Sequence, residues 1–200
     1  MFNLLKKYAV LSAIGLAVIT GAPASAQSAN MGQLAEHLPQ YTEEAPWRLG
    51  MVDSVFRMEN MADINANYWF HTPLNRDVGA SSVSVDVRIV EGDPEYSHAG
   101  LLYGFTDKNS VRFFYTIETG KVTLFEMAPG SANALMVTET DAVKSGWNTL
   151  KITEVDGMIN LIVNGKEIGG IGNDHTGKGS VGIVAWGTGG FEFKNFKTGS

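Results

Sequence analysis

Cysteine is absent from this sequence of 200 residues. Its absence excludes disulfide bonds, a cysteine nucleophile and the lipid-bearing cysteine that follows a lipoprotein signal. A zinc site built from ligands close in sequence is also disfavoured, because His37, His71, His98 and His175 are far apart. The fold therefore has to be stabilised by its hydrophobic core, without covalent cross-links.

A long hydrophobic run is also absent. The uninterrupted apolar stretch over 8–19 has 12 residues, whereas a membrane-spanning helix needs about 20. This stretch follows Lys6 and Lys7 and precedes Ala24-Ser25-Ala26, which is the layout of a secretory signal. A membrane anchor is the alternative interpretation. We expect residues 1–26 to be a signal peptide cleaved after Ala26, and the mature protein to be periplasmic or secreted with no membrane span.

Basic residues are scarce in the predicted mature chain. Without residues 1–26 it has 13 Lys and Arg against 21 Asp and Glu, a formal net charge of −8. Nucleic acids and anionic membrane surfaces are bound through clustered Lys and Arg. The composition therefore argues against nucleic acid and anionic membranes as partners, and it leaves the oligomeric state open.

The remaining 174 residues suit one domain with a substantial core. Residues 27–46 are polar and aperiodic apart from a possible short helix around 31–37, and we expect a leader segment that lies on the domain. Residues 47–200 show the short alternating segments of a β-sandwich domain.

Hydrophobic residues recur with period two, which is typical of strands with one buried face. Val83, Val85, Val87 and Ile89 alternate with polar residues. Turn signals rich in Gly, Asn and Asp separate about eleven such segments, which predicts an all-β, two-sheet antiparallel jelly-roll sandwich. The other segments lie near 54–58, 68–71, 99–105, 111–117, 121–127, 135–138, 147–153, 158–163, 181–186 and 191–196.

The hairpin from Trp147 to Glu167 is the most distinct unit. Its two strands are joined by Asp156-Gly157, and Asn164-Gly165 follows the second strand. Both pairs supply the positive φ angles that tight hairpin turns require. We expect Leu150 and Ile152 to share a core face with the residues opposite them, which are Ile159, Leu161 and Val163.

The segment from Ala99 to Lys197 resembles the concanavalin A-like lectin and glucanase superfamily, especially its laminin-G-like and 3-keto-disaccharide hydrolase-like branches. The resemblance implies a concanavalin A-like sandwich, a fold that serves lectins, glycosidases, lyases and adhesive modules, so function has to be argued from a site. It is carried by Ala99–Phe105, Asn109 with Arg112-Phe113, Trp147–Leu150, Ile162–Gly165, Gly179–Ile183 and Phe191–Phe196.

The acidic residues show no recognisable catalytic pattern. Members of the superfamily that resemble laminarinases carry three acids on one strand, because alternate carboxylates then flank the scissile bond. The nearest string here, Glu154-Val155-Asp156, lacks the third acid and lies at a turn. We therefore interpret it as a solvated turn and assign no catalytic residue.

Calcium is the one cofactor that the sequence leaves open. Asp63-Ile64-Asn65-Ala66-Asn67 offers alternating oxygen ligands, and some lectins of this fold bind calcium. The string lacks the glycine and the distal glutamate of a calcium loop, so a plain turn is the favoured interpretation. We predict no cofactor and no metal-binding residues.

Aromatic and hydrogen-bonding side chains are abundant near the predicted strand ends. Sugars suit such surfaces, because their C–H faces stack on rings while their hydroxyls accept bonds from Arg, His and Asn. Packing in the core is the alternative for every one of these residues. The set consists of Trp47, Arg48, Tyr68, Trp69, His71, His98, Tyr103, Arg112, Tyr115 and Trp186.

Trp186 is the strongest candidate for a ligand contact, because it ends a strand just before Gly187-Thr188-Gly189-Gly190. The hydrolase-like relatives place a polar residue there, so this departure weakens a transfer of their chemistry. His98 and Arg112 follow, since alternation puts them on one face with Gly100 and Thr116 respectively. Trp69 and His71 complete the predicted ligand-binding set.

The sequence therefore predicts an exported, non-catalytic domain that binds carbohydrate or a glycan-bearing surface. Two alternatives stay open. One is a hydrolase acting on sugar derivatives, which the resemblance suggests but no acid pair supports. The other is a structural or adhesive module that binds protein.

Overall fold

The computed structural model describes residues 30–73, 82–172 and 179–199. The predicted signal peptide lies outside the described residues. Within these ranges the chain forms one short 3-10 helix, Gly32–His37, and otherwise strands and turns. The strands are β1 Tyr41–Glu44, β2 Trp47–Val52, β3 Val55–Asn60, β4 Asn67–His71, β5 Ser82–Gly92, β6 His98–Phe105, β7 Arg112–Glu118, β8 Lys121–Ala128, β9 Ser131–Glu139, β10 Asn148–Val155, β11 Met158–Val163, β12 Lys166–Gly172, β13 Ser180–Trp186 and β14 Gly189–Gly199.

Two antiparallel sheets form the sandwich, which confirms the predicted fold class. The eight-stranded sheet has the order β1-β2-β3-β14-β5-β10-β11-β12, and the six-stranded sheet has the order β4-β13-β6-β7-β8-β9. We call the sheet surfaces that face each other the inner faces and the opposite surfaces the outer faces. Strands distant in sequence become neighbours, as when β4 and β6 flank β13.

Alternation along the strands fills the core from both inner faces. Val83, Val85 and Val87 of β5 are at most 1% exposed, whereas the residues between them are half-buried. Phe191, Phe193 and Phe196 of β14 are also buried. Apolar residues with period two therefore close the space between the sheets, as the sequence predicts.

The hairpin of β10 and β11 places the predicted residues on a shared core face. Leu150 pairs with Val163 and Ile152 pairs with Leu161, and all four side chains are fully buried. Asp156 and Asn164 both have positive φ angles and each is followed by a glycine with positive φ. The predicted turn chemistry is confirmed at both positions.

Three strands were not predicted from the sequence: β1, β2 and β12. The short strand β1 is polar and forms an edge of the eight-stranded sheet, so it has no apolar face to create a pattern. In β12, Gly169 and Gly170 interrupt the alternation. The predicted short helix is present, and its Leu34 is fully buried. Residues 31–46 thus contribute both to the core and to a sheet.

Among the described residues no helix is long and apolar enough to span a bilayer.

Candidate functional site on the six-stranded sheet

The strands β4, β13, β6 and β7 bring the five predicted ligand-binding residues onto one surface. Trp186 lies opposite His98 in the pairing of β13 with β6. Val184, two residues before Trp186, lies opposite Trp69, and Gly182 lies opposite His71. Arg112 lies four residues before Thr116 on β7 and so shares its face. Thr116 pairs with Gly100, which is two residues after His98 on β6 and so shares the face of His98. Period two therefore puts all five side chains on the outer face of the six-stranded sheet.

The first part of this surface is a group of three rings. The ring centroid of Trp186 lies 5.8 Å from that of His98 and 5.1 Å from that of Phe125 on β8. His98 and Phe125 meet edge to face at 5.4 Å. Trp186, His98 and Phe125 are each half-buried, so a substantial part of each ring is available to a ligand.

The second part surrounds Arg112. Its guanidinium carbon lies 4.9 Å from the ring centroid of Trp69, and the rings of Phe114 and Phe105 lie 5.8 and 5.9 Å away. The ring of His71 lies 4.6 Å from that of Phe105. Arg112 is only 9% exposed, so three aromatic rings rather than water surround this cation.

A buried apolar layer joins the two parts. Leu102, Phe114 and Val184 are fully buried and form one cluster that includes Trp69, Phe125 and Trp186. This cluster lies outside the main core between the sheets. An outer sheet face usually carries polar residues that face water, so a second apolar cluster there indicates a surface built for contact.

Small residues make room for the rings. A Cβ atom at Gly100 would lie 2.0 Å from the carbonyl oxygen of Tyr115, and one at Gly182 would lie 1.8 Å from that of Phe70. Both positions therefore exclude any side chain. Since Gly100 has no side chain and its partner Thr116 has a short one, His98 can reach Phe125 two strands away.

The surface contains polar atoms without a partner among the described residues. They include Nδ1 of His98, the Nε and Nη1 atoms of Arg112 and Oγ of Ser180, all buried. An unpaired buried polar group costs about 1 to 3 kcal/mol, and more when it is charged. Their hydrogen-bonding capacity is therefore left unused by the described part of the protein.

Burial also sets the protonation of His98. Loss of solvent lowers the pKa of its imidazole, and Lys121 acts in the same direction, whereas the carboxylate of Glu118 opposes the shift. Oε1 of Glu118 accepts a hydrogen bond from the hydroxyl of Thr123 at 3.0 Å. The neutral imidazole is therefore favoured, with one nitrogen able to donate and the other able to accept.

A groove of about 520 Å³ lies beside the edge strand β4 and shares Trp69 and His71 with this surface. Its wall includes Tyr68, whose hydroxyl donates to Glu44 at 2.7 Å. Burial and this hydrogen bond raise the pKa of Tyr68 to about 12. The phenol therefore stays protonated at neutral pH and keeps its bond to the carboxylate.

The remaining aromatic candidates from the sequence lie elsewhere. Trp47, Tyr103 and Tyr115 are at most 5% exposed and belong to the core between the sheets, and Tyr68 packs against that core. Arg48 lies on β2 of the other sheet and pairs with Glu43. Packing is the correct interpretation for Trp47, Tyr103 and Tyr115, whereas the half-buried Tyr68 both packs against the core and lines the groove beside β4.

The two acidic segments considered in the sequence, 154–156 and 63–67, lie in turns and at strand ends. The hydroxyl of Tyr103 donates to Glu154, and Asp156 lies in the turn between β10 and β11. Asp63 accepts a hydrogen bond from the backbone N–H of Asn65 at 2.8 Å, which is the geometry of an Asx turn. Within the described ranges no cluster of three or more His, Asp and Glu could hold a metal ion.

The sequence analysis missed Phe105, Phe114 and Phe125 as parts of this surface. Phe125 lies in the run Val122-Thr123-Leu124-Phe125, where both faces of β8 carry apolar residues and alternation is obscured. Phe105 follows Gly104, whose positive φ accompanies a shift in the register of β6 with β13. The signal available in the sequence was the presence of apolar residues on both faces of β8, since a strand with a solvated outer face alternates apolar and polar residues.

Comparisons with known proteins support the fold assignment. No family model matches the sequence, and a search of curated proteins gives no significant match. Among solved structures, a Bacillus subtilis protein of unknown function with a galectin-like fold matches with a TM-score of 0.59 at 10% identity, over 86% of this chain and 93% of that one. The carbohydrate-binding module CBM66 from Bacillus subtilis matches with a TM-score of 0.50 at 14% identity, over 80% and 91% of the two chains.

A third neighbour is the xylan β-1,4-xylosidase from Bacillus halodurans C-125, with a TM-score of 0.54 at 12% identity. The match covers 81% of this chain but only 39% of the xylosidase. The protein thus has the concanavalin A-like, galectin-like β-sandwich fold. Sequence identities this low establish the fold alone.

Proposed function

We propose that this protein is an exported, non-catalytic carbohydrate-binding domain whose ligand lies on the outer face of the six-stranded sheet. The observation that carries the proposal is the combination of half-buried rings with buried, unpartnered nitrogens on one surface. Rings stack on the C–H face of a sugar, while the Arg112 nitrogens donate to its hydroxyls and Nδ1 of His98 donates or accepts according to its tautomer. The same ligand then covers the apolar rings and provides hydrogen-bond partners for the nitrogens.

The chemistry of the surface favours binding over hydrolysis. Among the described residues, the buried groups without a hydrogen-bond partner on this surface include nitrogens of Arg112 and His98. The buried carboxylate on the same face, Glu118, is engaged by Thr123. Glycoside hydrolysis by the common route needs two carboxyl groups that flank the scissile bond. Solved neighbours that include a carbohydrate-binding module are consistent with this proposal.

The experiment is a glycan array with the purified protein, followed by titration of the best ligand. Trp186→Ala should weaken binding by about 1 to 3 kcal/mol, the scale of losing a main aromatic anchor. Trp147→Ala is a matched control, because Trp147 is also half-buried but precedes β10 of the other sheet, where Arg88 and Lys194 lie over its ring. It should leave the affinity unchanged.

Thermal unfolding of both variants completes the test. A large loss of stability in Trp186→Ala, with unchanged affinity in the folded fraction, would remove Trp186 from the site. Absence of any glycan binding by the wild-type protein would overturn the proposal. Release of shortened sugar during the titration would show that the domain is catalytic.

A further inference from the structure

Arg112 is the most unusual charged residue among those that the structure describes. It is 9% exposed, and its Nε and Nη1 atoms are buried without a hydrogen-bond partner in the described ranges. The ion pairs of the described residues join Arg48, Arg57, Arg88 and Lys166 to carboxylates, and none includes Arg112. A buried cation without an anion is expensive for a folded protein.

The surroundings of Arg112 explain how it is tolerated but not why it is there. The rings of Trp69, Phe114 and Phe105 contribute cation–π attraction, which is stronger at a desolvated site than at an exposed one. They do not satisfy its N–H groups. Burial lowers the pKa of Arg112, yet a guanidinium keeps its charge at neutral pH.

The nearest acid on the same strand and face is too distant to pair with it. Glu118 is six residues away along β7, which corresponds to about 20 Å. Its carboxylate accepts a bond from Thr123 on β8 instead. Glu118 therefore does not supply the electrostatic complement of Arg112.

We propose that the site binds an acidic glycan, and that Arg112 holds the carboxylate or sulfate group of that glycan while Trp69 and Trp186 contact its sugar rings. The inference rests on the carbohydrate-binding function proposed above and specifies the class of ligand. A planar guanidinium can donate two parallel N–H bonds to both oxygens of an acidic group. In a site shielded from water these charge-assisted bonds are stronger than bonds to neutral hydroxyls.

The net negative charge of the protein is compatible with such a ligand. Surface charges act through water and salt, with a screening length of about 8 Å at physiological ionic strength. A buried guanidinium in contact with the ligand is screened much less. The overall charge therefore disfavours polyanions that wrap a surface, such as nucleic acids, but not a single acidic group bound at Arg112.

The test uses an array of matched pairs, in which the same core glycan is present with and without a uronic acid, a sialic acid or a sulfate ester. We expect the wild-type protein to bind an acidic member at least about tenfold more tightly than its neutral counterpart. Comparison of the carboxylate-bearing pairs with the sulfate-bearing pairs shows which of the two acidic groups the site recognises. Arg112→Met should remove the preference, so that the acidic and neutral members of each pair bind this variant with equal affinity.

Two variants control for charge and folding. Arg112→Lys keeps the charge but loses the planar pair of donors, so the preference should fall but remain measurable. Arg48→Met removes the same charge from the exposed surface of β2 and should preserve the full preference. Melting curves verify that each variant is folded. A separate measurement uses the wild type: side-chain ¹H–¹⁵N spectra follow the Nε–H signal of Arg112 during addition of sodium glucuronate and, separately, of sodium sulfate.

The possible results separate the two proposals. An acidic preference that disappears in Arg112→Met, together with a saturable shift of the Nε–H signal, supports the inference. Equal binding of acidic and neutral members, or a preference that persists in folded Arg112→Met, overturns it and leaves carbohydrate binding intact. Should Arg112→Met not fold, titrations of the wild type with sodium glucuronate and with sodium sulfate that both leave the Nε–H signal unmoved overturn it as well. Binding to no glycan on the array overturns both.

Discussion

At the scale of single residues, the outer face of the six-stranded sheet owes its character to residues that solvent cannot fully reach. His98 and Arg112 carry buried nitrogens, and Gly100 and Gly182 lie so close to backbone carbonyl oxygens of neighbouring strands that no side chain fits there. A polar side chain in such a place lowers stability until a ligand satisfies it. For these residues, the binding of a ligand and the free energy of unfolding of the protein are therefore coupled.

His98 should make stability depend on pH. Burial lowers the pKa of its imidazole below the ordinary value of 6.5, so the unfolded chain binds the proton more readily than the folded protein. This contribution to stability is present above pH 6.5 and is lost as the pH falls towards the lowered pKa. Urea unfolding of wild type and His98→Gln at about pH 7.5 and about pH 5 measures it.

The wild-type protein should lose more of its free energy of unfolding between these pH values than the variant does. Carboxylates elsewhere titrate in both proteins, so the difference between them isolates His98. Equal losses in the two proteins would contradict the assignment of a neutral, desolvated imidazole.

At the scale of elements, the turns that end β10 and β11 combine local and tertiary roles. Asp156 and Asn164 adopt the same left-handed conformation, with φ angles of 50° and 51°. The side chain of Asn164 also accepts a bond from the N–H of Thr149 and donates to Ala142 and Asn148. Asn164 therefore anchors the loop before β10, whereas Asp156 is exposed.

A pair of glycine substitutions separates these roles. Glycine tolerates positive φ, so both Asn164→Gly and Asp156→Gly preserve the turn conformation. Asn164→Gly should lower the free energy of unfolding by about 1 to 3 kcal/mol, because it removes the partners of buried polar groups. Asp156→Gly should change it by less than about 0.5 kcal/mol. Urea unfolding curves decide, and equal effects would show that only turn geometry matters.

At the scale of the whole molecule, the two outer faces have different chemistry. The face of the eight-stranded sheet carries ion pairs such as Arg88 with Glu192, at 2.5 Å, and cations over Trp147. The face of the six-stranded sheet carries the apolar cluster and the unpaired nitrogens. Binding is therefore expected on one side of the sandwich, and the charged side remains solvated.

The proposed export is tested on the protein made by its native cell. Mass spectrometry should find Gln27, in open or cyclised form, as the N-terminal residue, because Ala24-Ser25-Ala26 has the small residues of a cleavage site. Treatment of the same cells with a signal-peptidase inhibitor is the control and should make the uncleaved chain accumulate. Intact Met1 in the mature pool would contradict export through this signal.

The sequence by itself determined the sandwich and much of its core, because period-two patterns and Asx-Gly turns act through local geometry. Val83, Leu150 and Leu161 occupy the predicted core face for this reason. The tertiary structure decided which residues meet on the outer face. Phe125 reaches Trp186, 61 positions later, only because β13 lies beside β6 and β8 beside β7, and this pairing of distant strands leaves no periodic trace in the sequence.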